Sequence, residues 1–464
     1  MKYFYLLPLV VLLACSDQKE KTETQKEDTM AFTGAKGEVK LLTLDPGHFH
    51  AYLVQKSMYD QVNPVVHVYA PEGPELVAHN AKINEFNTRA EDPTHWEQKV
   101  YTGPDYLEKM MTDKAGNVVV LAGSNAKKTE YIKAAIDSGI NVLADKPMII
   151  VPEQFELLKA AFASAEEKGL LLYDIMTERY EVTTILQKEL AQSTALFGQL
   201  EKGTPEEPAI SKESIHHFFK YVAGSPLVRP AWFFDVNQQG EGIVDVATHL
   251  VDLVLWECFP GQGIDYTKDD VSVVKARRWA TELTPEMFGK VTGLDEYPDY
   301  LNSSVKDDSV LNVFSNGEFV FQVNGVHGKV SVIWNFQAPE GAGDTHYSIM
   351  RGTAANLVIR QDEAQGYKPT LYIEDVAGRD DFETVAKEAV AALTTLYAGL
   401  ELKPTEFGLE VVVPDKFKLG HEAHFSQVTE KYLQYLIAGK LPEWEIQNML
   451  TKYYLNMQAY QMSR

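Results

Sequence analysis

The stretch that most restricts what this chain can become is residues 118–147, VVVLAGSNAKKTEYIKAAIDSGINVLADKP. Residues 118–122 are an unbroken apolar run, the pattern of a strand buried on both faces of a parallel sheet, and Gly123, Ser124 and Asn125 interrupt it. Between 128 and 138, Tyr131, Ile132, Ala135 and Ile136 recur at helical spacing, and Gly139 stands where a helix end favours a left-handed residue. Residues 141–144 supply a second short strand, so the spacing predicts a right-handed crossover. The strand ends of such a unit lie at the edge where open α/β sheets bind ligands, and Lys146 is delivered there. Pro147 disfavours helical backbone at Lys146 and keeps it extended. Burial could lower the pKa of such a lysine and suit it to handle a substrate proton, whereas an isolated Lys-Pro pair equally fits a solvated surface lysine.

Strand-like runs at 39–44, 65–69 and 170–173, with helical patterns from 75 onward, near 106–111 and over 153–168, extend the same alternation. This is the signature of a doubly wound parallel sheet. After Arg179 and a helix at 183–191 the pattern changes to short strand-like runs at 216–222, 271–278, 309–314, 318–326, 330–336, 348–351, 357–360 and 371–374. Turn signals such as Ser315-Asn316-Gly317 separate them, and residues 424–463 return to helix. The expected fold is α/β, with the parallel sheet over 38–180 and an α+β domain with a mostly antiparallel sheet over 181–464.

Residues 1–15, MKYFYLLPLVVLLAC, carry Lys2, an apolar run and a small residue before Cys15, and are too short to span a bilayer. They predict a lipoprotein signal peptide, with Cys15 as the lipid-bearing residue and 16–37 as a polar flexible tether. The expected location is therefore outside the cytoplasm, anchored to a bacterial membrane on its periplasmic face or at the cell surface. Besides Cys15 only Cys258 remains, so no internal disulfide can form. A formal net charge of -23 argues against nucleic acid and anionic membrane surfaces as partners.

A second constellation lies at 240–252, GEGIVDVATHLVD. If helical from about Val244, it places Asp245, His249 and Asp252 on one face, where the carboxylate could orient the imidazole and raise its pKa toward neutrality. The same three residues would also suit the wet stripe of an amphipathic helix.

Together these segments resemble the Gfo/Idh/MocA family of NAD(P)-dependent sugar and cyclitol oxidoreductases, over nearly everything from Val39 to the C-terminus. The family's Glu-Lys-Pro motif appears as Asp145-Lys146-Pro147, its glycine-rich turn and Asp-x-x-x-His helix match Gly240 to His249, and Arg179 and Met350-Arg351-Gly352-Thr353 match further family positions. The resemblance implies a Rossmann-like first domain and hydride transfer between NAD or NADP and a CH–OH group of a sugar, glycoside or polyol. It makes Lys146 the contact to the reacting hydroxyl, His249 the general base and Asp245 the group that holds the imidazole. The cofactor-facing positions it implies are Asp45, Gly47, His48, Glu72, Gly123, Asn125, Asp145 and Lys146. The dinucleotide fingerprint is altered: the three glycine positions read Asp45, Gly47 and His50, and the acid expected on the adenosine ribose is either displaced to Glu72 or absent. Lys128 stands where a family histidine is common and could offset phosphate charge.

Two other readings use the same residues. Asp45, His48 and His50 offer a carboxylate and two imidazoles, the donors of a metal-dependent hydrolase or lyase, but no remote partner is identifiable and no metal is assigned. Tyr221, Trp232, Phe233, Phe234 and Trp334 could stack on sugar rings in a non-catalytic glycan-binding lipoprotein, although strand aromatics more often serve the core. The partners expected are a small carbohydrate or polyol, the membrane through the Cys15 anchor alone, and a second copy of the chain.

Overall fold

The computed structural model describes residues 31–222, 225–307, 309–340 and 342–464. The expected signal peptide and most of the expected tether lie outside the described residues. Where the described chain begins, the backbone N–H groups of Thr33, Gly34 and Ala35 donate to the Glu38 carboxylate at 2.9 to 3.1 Å, so the last part of the segment read as tether is a closed loop.

The first sheet has six parallel strands: Leu41–Leu44 (β1), Val65–Tyr69 (β2), Glu97–Tyr101 (β3), Val118–Leu121 (β4), Asn141–Asp145 (β5) and Leu172–Ile175 (β6), in the order β3-β2-β1-β4-β5-β6. Every residue of β1, β4, β5 and β6 is buried, which is why β4 reads as a continuous apolar run and the others are mostly apolar. The strand order reverses between β1 and β4, and a crevice opens beyond their carboxyl ends. Strand β3, EQKVY, escapes the sequence reading because it is an edge strand with three exposed and no fully buried residues.

The second sheet has ten strands. All its pairings are antiparallel except that of Val326–Gln337 with Ile210–Phe219. Ser315-Asn316-Gly317 is not a turn; it lies inside one strand, Val310–Val323, and the chain reverses at Asn324-Gly325 instead. The polar side chains fit there because Asn316 accepts from the Trp334 backbone N–H at 2.7 Å and donates to Thr281 Oγ1 at 2.8 Å. Gly317 fits because a Cβ would lie 2.5 Å from that of Ile243.

The C-terminal segment forms two helices, His421–Ala438 and Glu443–Met462, broken before Pro442. The second is a strut between the two halves. Lys452 reaches Asp174 of β6 at 2.6 Å and Asp252 at 2.8 Å, while Arg179 binds Asp252 through two nitrogens and Glu445 through a third. Asp252 is thus locked in a buried ion network and belongs to no wet face.

Candidate active site

Helix Ala247–Cys258 starts later than the sequence pattern suggests. Residues 242–246 form a turn, so Asp245 precedes the helix and does not stack below His249. The turn packs so tightly on the strand below that a Cβ on Gly242 would fall 1.6 Å from the Ser315 carbonyl oxygen. This placement aims Asp245 across the crevice. Its Oδ1 accepts from Lys146 Nζ at 2.7 Å, and its Oδ2 from Gln239 Nε2 at 3.0 Å. The expectation that Asp245 orients the His249 imidazole is therefore corrected: the Lys146 ammonium takes up the carboxylate.

Charge states follow. Burial alone would lower the Lys146 pKa, as the sequence reading expected, but Asp245 and Asp145 outweigh burial and hold it above the ordinary lysine value. Lys146 is thus a fixed ammonium. His249 moves the other way from the expected rise: burial first, then the Lys146 charge, pull its pKa down to about 3. Its Nδ1 is buried and has no hydrogen-bond partner among the described residues. The imidazole is neutral at physiological pH, and the Lys146 charge, from the opposite half of the chain, adds to the depression that burial causes.

Asp145 faces His50, Nδ1 to Oδ2 at 2.9 Å, and His48 at 3.6 Å. Asp45 does not join them; its Oδ2 accepts from the Tyr131 hydroxyl at 2.8 Å. Asn125 donates to the Gln239 carbonyl at 2.7 Å and accepts from Lys128 at 2.6 Å. Lys128 is fully buried, and desolvation brings its pKa down to about 8.

Sequence reasoning missed Glu178 and His421. They face one another at 3.9 Å, His421 Nε2 to Glu178 Oε1, beside His249 and His50. No local signal could have found them, since His421 enters from a helix more than 240 residues away in sequence from Thr177, its hydroxyl neighbour. His216 and His217, neighbours on one strand, both reach Asp344, at 2.9 and 3.5 Å. Of the candidate stacking aromatics, Phe233, Phe234 and Trp334 are core. Trp232 stands beside Gly47.

A cleft with about 640 Å³ of empty space, open solvent included, lies along the carboxyl edge of β1 and β2, lined by Asp45, Gly47, Glu72, Ser124, Lys127 and Trp232 among others. Its floor is a close glycine contact: a Cβ on Gly123 would sit 2.1 Å from the Asp45 carbonyl oxygen, and one on Gly47 3.4 Å from Gly123 Cα. The cleft, its side-chain-free floor and the cationic Lys127 fit the phosphate and adenosine end of a dinucleotide, with Glu72 at the β2 end able to accept from ribose hydroxyls.

A parallel sheet with a cleft at its switch point, together with a buried ammonium and imidazole drawn from opposite halves of the chain, defines the class of dinucleotide-dependent oxidoreductases. Residues 47–173 match the family model described as "Oxidoreductase family, NAD-binding Rossmann fold", and residues 186–464 match "Putative oxidoreductase C terminal domain". The chain belongs to the Gfo/Idh/MocA oxidoreductase family. It resembles a crystal structure titled as a putative oxidoreductase from Parabacteroides merdae, with 55% identity, TM-score 0.91 and coverage of 93% of this chain and 99% of the other. A levoglucosan dehydrogenase solved with NADH and levoglucosan shares the fold at 14% identity and TM-score 0.56, covering 91% and 97% of the two chains. A scyllo-inositol 2-dehydrogenase (NADP(+)) of Bacillus subtilis is 25% identical over 149 residues, which span 32% of this chain and 37% of that enzyme.

Proposed function

We propose that the protein is an NAD(P)-dependent dehydrogenase acting on a CH–OH group of a sugar, glycoside or polyol. The observation that carries this is a fixed Lys146 ammonium, just past the carboxyl end of β5, in the electrostatic surroundings of a neutral His249 imidazole. Lys146, clamped by Asp245, donates a hydrogen bond to the substrate hydroxyl oxygen and stabilises negative charge as the proton leaves. His249 accepts that proton, and Gln239 fixes the rotamer of Asp245. When bound, the dinucleotide supplies the hydride acceptor. Gly47 and Gly123 give its phosphates backbone access, Lys127 supplies counter-charge, and Glu72, which would repel a 2′-phosphate, favours NAD over NADP. Relatives act on levoglucosan and scyllo-inositol, which supports a polyhydroxylated ring as substrate.

The test is NADH binding by fluorescence, followed by turnover of a panel of cyclitols and anhydrosugars. Lys146→Ala and His249→Ala should each cut kcat by about 100-fold or more while nucleotide affinity stays within about threefold. Wild-type protein that binds neither nucleotide would remove the redox reading. We propose further that the protein is exported and held to the membrane by lipid on Cys15, as residues 1–15 suggest. Cys15→Ala should then leave the membrane fraction and lose incorporation of labelled fatty acid.

A further inference from the structure

Asp145 is an unusual carboxylate. It is buried, and among the described residues its ion-pair contacts are with imidazoles alone; the Lys146 ammonium is committed to Asp245, and the Lys128 ammonium donates to Asn125. A buried carboxylate is ordinarily matched by a cationic side chain or by a metal. Here the matching groups are two donor nitrogens. His48 and His50 stand on one short turn, and β5 ends on Asp145 opposite them, so that ligand atoms of all three lie within 4.8 Å of one another. Backbone bonds set the turn: the His48 N–H donates to the Ala122 carbonyl at the end of β4 at 3.1 Å. The aromatic packing of His50 against Phe425, centroids 4.6 Å apart, holds the second ring.

We propose that His48, His50 and Asp145 bind one first-row divalent metal ion. An ion with bonds of about 2.0 to 2.2 Å to nitrogen and oxygen places neighbouring ligand atoms about 3 to 3.5 Å apart. The observed Nδ1 to Oδ2 separations of 2.9 and 3.6 Å bracket that range, and all the ligand atoms lie within 4.8 Å of one another, so an ion is reached by adjustment of the two rings without backbone rearrangement. Two imidazoles and one carboxylate suit zinc, cobalt, manganese or iron(II) rather than magnesium or calcium. Three protein ligands leave coordination positions open, as reactive sites do and purely structural sites do not. His48 is the most exposed of the three, with 17% of its side chain accessible, and marks the side from which the ion and an oxygen ligand enter. The peptide link from Asp145 to Lys146 sets this metal beside the hydroxyl-binding ammonium. On the dehydrogenase reading above, and only on it, an ion held there would have an open position for a substrate hydroxyl and would lower that hydroxyl's pKa, easing the proton transfer to His249.

The experiment is a titration of chelator-treated protein with CoCl₂, read by visible absorbance, with ZnCl₂ as competitor and NADH binding measured on the same metal-free sample. About one equivalent of Co²⁺ is expected, displaced by Zn²⁺, with affinity reduced at least about tenfold in both His48→Ala and His50→Ala. His48 is partly exposed, so its variant keeps the test decisive if Asp145→Asn fails to fold. Absence of a cobalt band in the wild type, or binding unchanged in both histidine variants, overturns the proposal. Nucleotide binding without metal leaves the dehydrogenase reading standing alone; metal binding without nucleotide leaves this site standing and removes that reading.

Discussion

At the scale of single residues, the site is governed by one choice of partner. Asp245 pairs with Lys146, and His249 is thereby left neutral and buried beside a permanent positive charge. The unfolded chain binds a proton on His249 below about pH 6.5, whereas burial and Lys146 prevent the folded chain from doing so until about pH 3. In that window the unfolded state holds more protons, so stability rises with pH and is lost as pH falls from 6.5 toward 3. One such group contributes a slope of up to about 1.4 kcal/mol per pH unit. His48 and His50, also depressed first by burial, act in the same direction. Urea unfolding between pH 7 and 4 should show this slope in the wild type and a shallower one in His249→Asn; equal slopes would mean that the imidazole is not held neutral. Lys146 was legible in the sequence because Pro147 and the strand before it fix its place. Its partner was not: spacing of i, i+4 joins Asp245 to His249 only if the helix has begun, and it begins at Ala247.

At the scale of elements, the same limit recurs wherever a local pattern meets a tertiary demand. Strand β2 matches its sequence bounds, Val65–Tyr69, because an apolar run flanked by turn residues is enough to define it. Strand β3 offers no such run, and Ser315-Asn316-Gly317 carries turn chemistry that the fold spends on clearance beneath the turn at 242–246. That clearance has a testable weight. In Gly242→Ala the added carbon would meet the Ser315 carbonyl oxygen at 1.6 Å, and both elements contribute backbone, so neither side can yield cheaply. The turn must lift, carrying Asp245 from Lys146. Loss of about 2 to 4 kcal/mol in denaturant unfolding is expected, with a larger relative loss in kcat than in KM for any substrate turned over. Gly325→Ala, at a hairpin with φ of +77 and nothing within 4 Å, should cost only about 1 kcal/mol and leave kinetics unchanged. A Gly242→Ala variant as stable as Gly325→Ala would show that the turn is soft and that the Asp245 placement does not depend on it.

At the scale of the whole molecule, the two sheets are tied by charge as well as by apolar contact. Lys452 is fully buried and joins Asp174, on the first sheet, to Asp252, on the helix that carries His249. Arg179 joins Asp252 to Glu445 on the same C-terminal helix as Lys452. Neither sheet can separate without stranding a carboxylate in a low-dielectric interior, which costs several kcal/mol per ion. The sequence displayed the two halves as different patterns, yet residues 31–464 form a single compact unit because this cross-linking network is spread over Asp174, Arg179, Asp252, Glu445 and Lys452, whose proximity no spacing encodes. Calorimetry should accordingly give one unfolding transition. Replacing Lys452 with methionine leaves Asp174 and Asp252 without their shared cation and should cost about 3 to 5 kcal/mol, moving that single transition down instead of splitting it. Adding Asp174→Asn to Lys452→Met should recover part of the loss, since an amide is cheaper to bury unpaired than a carboxylate. Two resolved transitions in the single variant would mean that the halves are stable apart and that the Lys146–His249 pair owes its geometry to local contacts at the cleft, not to the strut behind it.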